Sequence, residues 1–215
     1  MLTMVNKEHV WRREVISREA ERALRDLRES EVLERCYLAG GTGLALHLGH
    51  RRSQDLDFMS RKAIEPEALI RKMQTLAGFA LVGKAEETLH ATVREIKVSF
   101  LTYPYPILFP LQTFVDISVA DPRDIACMKL SAIAGRGTKR DFVDFYVVSK
   151  QYGLSPALEW FKQKYDQANY SMVYLLKSLS YFEDAEKDPM PDMLEPLSWE
   201  EVKQFFSGEV PRLSP

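Results

Sequence analysis

Apolar side chains recur at Val10, Trp11, Val15, Ile16, Ala20, Ala23, Leu24 and Leu27, with Arg and Glu filling most positions between them. That spacing lays one apolar stripe along an amphipathic helix within residues 10–33. Glu34–Ala39 reads as a short strand ended by Gly40-Gly41, and Thr42–Leu48 returns to helix, closed near Gly49. Gln54–Met59 alternates polar and apolar, the period of a half-buried strand. Pro66 suits the first turn of a helix bearing Leu69, Ile70, Met73 and Leu76, which Gly78 stops. Phe79–Val82, Thr88–Val93 and Ile96–Leu101 read as strands, the last two joined tightly at Arg94-Glu95. Tyr103-Pro104-Tyr105-Pro106 is a connector, because proline cannot serve a central ladder, and Thr113–Val119 reads as a sixth strand.

Asp121-Pro122-Arg123-Asp124 opens a helix that runs to about Ala134: an N-cap acid, a proline in the first turn, and a second acid near the positive end of the helix dipole. A further helix spans Lys139–Tyr152 and ends at Gly153. Beyond Pro156 the strand pattern disappears. Residues 156–166, 170–183 and 198–206 are helical, the last opened by the capping-box sequence Ser198-Trp199-Glu200-Glu201, and Asp188–Pro191 is a linker. The reading is α+β, with residues 1–120 an α/β domain carrying an N-terminal helix and 121–215 a helical region packed on it.

Composition narrows the class of partner. The 215 residues are 46% hydrophobic and 28% charged, with 29 Lys+Arg against 31 Asp+Glu and a formal net charge of −2. This is globular composition, and it excludes a protein that coats nucleic acid by bulk charge, though not one with a local basic patch. Cys36 and Cys127 sit in apolar runs far apart, which gives no disulfide framework. The start of the chain lacks an apolar core of leader length and charges interrupt every later apolar stretch, so a cytoplasmic protein without membrane contact is expected.

Two motifs are decoys. Gly78 to Ala85 has P-loop glycine and lysine spacing, but its interior is strand-like and Ala85 has no hydroxyl for Mg²⁺. Gly41-Thr42-Gly43 begins a dinucleotide fingerprint, but Leu46 occupies the third glycine position. His47 and His50 have the spacing of metal ligands; with no Cys or third His nearby, they read as a pair at the surface or behind the site.

A third pattern is stronger. A strand delivers Gly40-Gly41-Thr42 to the start of a helix, and Arg51-Arg52-Ser53-Gln54-Asp55-Leu56-Asp57 follows. Glycines let a phosphate approach the backbone, where the helix presents unpaired N–H groups. Asp55 and Asp57, two apart in an extended segment, point to one face. Paired carboxylates suit Mg²⁺ or Mn²⁺, which take the remaining oxygens from substrate phosphates. Alone, Asp-x-Asp reads as two solvated acids; in this order, within one strand–helix–strand unit, the pair points to nucleotide chemistry. A fourth pattern is Lys129, which interrupts an apolar helix and so needs a wet cleft or an anionic partner, followed by the basic cluster Arg136, Lys139 and Arg140 beside Asp141 and Asp144. Taken alone, it fits a snorkelling lysine and a capped helix as well as it fits a phosphate site.

Gly40-Gly41-Thr42, Arg52-x-Ser53-x-Asp55-Leu56-Asp57, Lys129 and Arg140-Asp141-x-x-Asp144 occur together and in order. This combination resembles the AbiEii/AbiGii toxin family of nucleotidyltransferase-like proteins, in the DNA polymerase beta-type superfamily, over residues 30–155 by motif. The resemblance implies a nucleotidyltransferase-like mixed twisted sheet flanked by helices, with a helical C-terminal part. It further implies transfer of a nucleoside monophosphate from an NTP to an acceptor hydroxyl, with Mg²⁺ or Mn²⁺. Some members act on tRNA as toxins paired with an antitoxin protein. By the same resemblance Gly40, Gly41 and Thr42 hold phosphates, and Arg52 and Ser53 support that cradle. Asp55 and Asp57 bind metal, Lys129 and Arg140 contact nucleotide, and Asp144 organises the active site.

The sequence departs from the superfamily pattern at Ser99 in Ile96-Lys97-Val98-Ser99-Phe100, where a third carboxylate usually accepts the proton of the attacking hydroxyl. Serine is a poor Mg²⁺ ligand and a weak base. Asp116 lies on another strand, and nothing in its spacing recruits it. Either Asp144 supplies the missing charge, or the enzyme is slow, altered or inactive. The alternatives are therefore a degenerate fold that binds nucleotide or a partner without catalysis, and a metal-dependent nuclease, in which the Gly-Gly-Thr turn would have no special purpose.

Overall fold

Ser17 interrupts the N-terminal amphipathic stretch by capping the helix that follows it: its hydroxyl accepts from the Ala20 amide, and helix α1 is Arg18–Glu29. The expected single helix over 10–33 is thus a short 3-10 turn, Arg13–Val15, followed by α1, whose apolar stripe Ala20, Ala23, Leu24 and Leu27 is fully buried. The structure, a computed structural model, describes residues 9–213; the first eight residues, part of the stretch read for a leader, and the last two lie outside it. Among the described residues no helix is long and apolar enough to cross a membrane.

The sheet has seven strands, β1 Tyr37–Leu38, β2 Leu56–Ser60, β3 Ala80–Ala85, β4 Thr88–Val93, β5 Ile96–Thr102, β6 Gln112–Phe114 and β7 Ile117–Val119, in the order β3-β4-β5-β2-β1-β7-β6. β2 pairs in parallel with β5 and β1 with β7; the other neighbours are antiparallel. The P-loop-like stretch from Gly78 runs into β3, so its glycine and lysine form no phosphate loop. The single strand expected over Thr113–Val119 is a hairpin instead, because Val115 (φ 49°) and Asp116 (φ 60°) both adopt the left-handed turn conformation. Valine is among the residues least suited to that conformation, which is why the turn is invisible in the sequence.

Period-two alternation gives the sheet two different faces. Leu56 and Phe58 of β2, Val98 and Phe100 of β5, and Leu89 and Val93 of β4 are buried beside the α1 stripe. Phe58 and Phe100 stack with ring centroids 5.3 Å apart, and burial of each such side chain contributes about 1.5–3 kcal/mol. The intervening residues, Asp57, Ser99 and His90 among them, are turned to the opposite face.

Helix α2, Gly40–Leu48, connects β1 towards β2, and α3, Pro66–Met73, connects β2 to β3. Helix α4, Pro122–Gly135, starts where Asp121 accepts from the Arg123 amide, and α5, Lys139–Tyr152, is capped by Thr138. These two match the sequence reading closely because their caps and glycine stops are explicit. Then come α6 Leu154–Lys164, α7 Met172–Ser178, α8 Glu183–Glu186 and α9 Trp199–Glu209; the last has the expected capping box. The helix expected over 170–183 is thus two, α7 and α8, separated by a turn at Leu179-Ser180. A second apolar cluster, built on Ile125, Leu130, Phe142, Phe145 and Phe206, joins α4, α5 and α9. The face of the sheet bearing Asp57 meets the start of α2 and this helical layer.

Candidate active site

Gly40 and Gly41 have no room for a side chain. A Cβ on Gly40, which stands at φ +61°, would lie 2.5 Å from Asp57 Oδ2, and one on Gly41 would collide with the Arg51 guanidinium. The glycine pair therefore lets a carboxylate and a guanidinium close over the first turn of α2, where the opening amides have no carbonyl four residues back to bond. Asp57 lies within β2 and Asp55 one residue before it, and both line one cavity of about 230 Å³. Gly41, Arg51, Ser53, Lys129, Arg136 and Arg140 share that wall, as do Thr138 and Asp141. Four cations and three acids thus face a space open to solvent, a charge pattern suited to a polyanion that arrives with its counter-cation.

Thr42 is placed differently from expectation. It is 1% exposed and absent from the cavity wall; its hydroxyl donates to the Asp55 carbonyl and shares a 2.8 Å hydrogen bond with Ser53 Oγ. Its side chain ties the Ser53–Asp55 loop to α2.

Arg52 points away from the cavity. Its guanidinium pairs with Asp192, 3.1 Å away on the surface, and takes no part in the cavity. Arg51 takes the inward position. Residues 50–52 are extended alongside 192–194, with the Arg52 amide donating to the Asp192 carbonyl and the Leu194 amide to the His50 carbonyl, and adjacent residues of an extended segment point in opposite directions.

Asp144 has no exposed surface. Arg51 grips it bidentately, Nε to Oδ1 at 2.7 Å and Nη2 to Oδ2 at 2.8 Å, while His50 Nε2 lies 2.8 Å from Oδ1 and Lys129 Nζ 2.7 Å from Oδ2. Burial works against its charge, but Lys129 and Arg51 outweigh that and hold the carboxyl well below the usual carboxylate range. With both oxygens engaged and no place in the cavity wall, Asp144 does not supply the missing third carboxylate; it aims Arg51 and Lys129. Lys129 also reaches Asp141 at 3.0 Å, which Arg136 and Thr138 hold from the other side at 2.9 and 2.7 Å. The anionic partner that an intrahelical lysine requires is therefore a pair of aspartates.

Asp57 behaves in the opposite way. Burial raises its pKa, with Lys129 opposing and Asp55 adding to the rise. A cation between Asp55 and Asp57 would relieve that penalty. Among the described residues no group of three or more His, Cys, Asp or Glu side chains is arranged to hold a metal, so the carboxylate pair would need oxygens from a ligand to complete a coordination shell.

Gly49 ends α2 between the two histidines as expected, but neither histidine is at the surface. His47 donates from Nε2 to the Ala120 carbonyl at 2.9 Å and accepts from His9 at Nδ1, 2.8 Å away, and His50 belongs to the Asp144 cluster. Arg51 and Arg136 were visible in the sequence only as members of basic runs. Asp116 sits in the β6–β7 turn, ion-paired to Arg28, and outside the cavity.

The sequence matches the family described as nucleotidyl transferase AbiEii toxin, type IV toxin–antitoxin system, over residues 22–111 and 92–213. It is 35% identical over 201 residues to an uncharacterised protein of Aquifex aeolicus, covering 91% of this chain and 96% of that one. The fold is similar to that of the Mycobacterium tuberculosis nucleotidyltransferase toxin MenT4 (TM-score 0.54, 16% identity, 90% of this chain and 84% of that one). It is also similar to an H. pylori protein described as a putative nucleotidyltransferase (TM-score 0.51, 18% identity, 91% and 96%) and to the antibiotic-resistance factor ANT(2'')-Ia (TM-score 0.53, 10% identity, 69% and 90%).

Proposed function

The chain belongs to the AbiEii nucleotidyltransferase toxin family, and from that premise we propose that it moves a nucleoside monophosphate from an NTP to an acceptor hydroxyl, with Mg²⁺ or Mn²⁺, tRNA being the acceptor class and an antitoxin protein the cognate partner. The observation that carries this reading is the meeting of Asp55 and Asp57 with the Gly40-Gly41 turn in one cavity.

The donor set fits a hard divalent cation, since two carboxylate oxygens leave positions for phosphate oxygens and water. Asp55 and Asp57 would hold it, and when bound it neutralises charge on the transferring phosphate. The chain's own groups do the rest. The opening amides of α2 and the guanidinium groups of Arg51, Arg136 and Arg140 bind the triphosphate, with Ser53 in the same wall. Lys129, fixed by Asp141 and Asp144, offers its ammonium to the negative charge that shifts onto the leaving pyrophosphate. Catalysis of this kind is mostly positioning and charge stabilisation, and a network buried on rigid helices supplies both.

The test is incubation of the pure protein with each α-labelled NTP, Mg²⁺ and total tRNA. Label transferred to RNA, abolished by chelation and cut at least about 100-fold by Asp57→Ala, is the expected result. Transfer absent with every nucleotide, or undiminished in Asp57→Ala, contradicts it. Ser99 beside Asp57 favours one second reading, a binding protein of the same fold, which would give NTP-dependent thermal stabilisation without turnover.

A further inference from the structure

Three neighbouring strands bring Asp57, Ser99 and His90 into one row. Ser99 of β5 is in register with Asp57 of β2 on one side and with His90 of β4 on the other. Paired residues of neighbouring strands point to the same face at a spacing of about 4.8 Å. That face is the wall of a cavity of about 580 Å³ that also contains Gly40, Gly41 and Lys129. His90 Nδ1 lies 3.1 Å from Ser99 Oγ, and His90 itself is exposed to the cavity. The position that lacks its expected carboxylate therefore has a hydroxyl backed by an imidazole.

We infer that Ser99 and His90 together receive the proton of the attacking hydroxyl, so that the site is complete without a third acid. The inference rests on the nucleotidyl-transfer reading. The acceptor O–H gives its proton to Ser99 Oγ as Ser99 passes its own to His90 Nδ1. The acceptor oxygen bonds to the α-phosphorus, the bond from that phosphorus to the bridging oxygen breaks, and pyrophosphate leaves. The imidazolium then returns its proton to solvent, so the balance is one hydroxyl and one NTP giving one ester, one pyrophosphate and one proton. Ser99 is the group that touches the acceptor; His90 acts through it as a positioning and proton-accepting residue. An imidazole suits the task because its unprotonated ring nitrogen is an acceptor able to take a proton from a hydroxyl. The charged groups around His90 are Asp57 on β2, to which Ser99 also hydrogen-bonds, Lys97 on the same face of β5, and Lys129, Arg136 and Asp141 across the cavity; from β3 it faces only Gly83.

The assay with labelled NTP, Mg²⁺ and total tRNA, run from pH 5 to 9, tests this on four proteins: the wild type, Asp57→Ala, His90→Gln, and His90→Gln with Ser99→Asp. His90→Gln is expected to lower transfer roughly 10²-fold. Adding Ser99→Asp is expected to raise transfer in that background at least about tenfold, since a carboxylate then accepts the proton directly. A readout free of turnover comes from the imidazole nitrogens, because the chain has only four histidines. Ser99 donating to Nδ1 requires His90 in the Nε2–H form, and Ser99→Ala should release that preference. An Nδ1–H tautomer overturns the inference, as does Asp57-dependent transfer that is indifferent to His90→Gln. A wild type that transfers no label under any condition overturns the inference together with the function proposed above.

Discussion

Arg51 is held from two sides, by Asp144 gripping its guanidinium and by the empty Cα of Gly41 leaving room for it. Each contact makes a prediction. Asp144→Asn strips the full counter-charge from buried Arg51 and weakens the hold on Lys129. It should lower stability by about 3–5 kcal/mol in urea unfolding. Arg52→Ala breaks only the exposed pair with Asp192 and should change stability by less than about 1 kcal/mol; equal losses in the two variants would contradict the placement. Gly41→Ala should displace the guanidinium, cutting nucleotidyl transfer about 100-fold at a stability cost of only about 1–3 kcal/mol, measured on the same preparation. The aspartates and glycines of this site were legible in the sequence because their chemistry and spacing are local. The choice between Arg51 and Arg52 was not, because residues about 140 positions later, pairing with this segment, decide which arginine turns inward.

Helix α2 carries the Gly40-Gly41 turn at its start, and near its other end His47 fixes it to the Ala120 carbonyl, just ahead of α4. The bond to Ala120 takes the Nε2 proton, so in the neutral imidazole Nδ1 is the acceptor that meets His9. Burial, with His9 beside it, lowers the His47 pKa to about 4. A group whose native pKa lies below its unfolded value binds fewer protons when folded, so it favours the fold at neutral pH. That contribution declines as pH falls from about 6.5 towards 4, by at most about 3 kcal/mol. The unfolding midpoint should follow this curve over that window, and His47→Gln should flatten it; an unchanged slope would show that the histidine does not couple α2 to α4. At this scale α4 and α5 were readable from Asp121-Pro122, Gly135 and Gly153, whose preferences are intrinsic. The β6–β7 hairpin was not, since Val115 takes a conformation its side chain disfavours and tertiary context overrides it.

Across the molecule, the sheet–α1 core and the helical cluster meet where the site lies, and Tyr37, Ala39 and Leu44, from before residue 120, belong to the helical cluster. β2 supplies Asp57, α2 its amides, α4 Lys129, and the α4–α5 junction Arg136, Thr138 and Arg140, so the site requires both parts to be docked. The family resemblance was legible because four short motifs keep their order, whereas the contacts that give them purpose span most of the chain. Manganese is the sharpest probe of that assembly. The protein crystallised with Mn²⁺ and an NTP whose α–β bridge resists cleavage should show one anomalous peak within bonding distance of both Asp55 and Asp57, with the triphosphate lying along Gly40-Gly41. Nucleotide and metal seated away from those carboxylates, or no peak beside them at saturating ligand, would contradict the central claim.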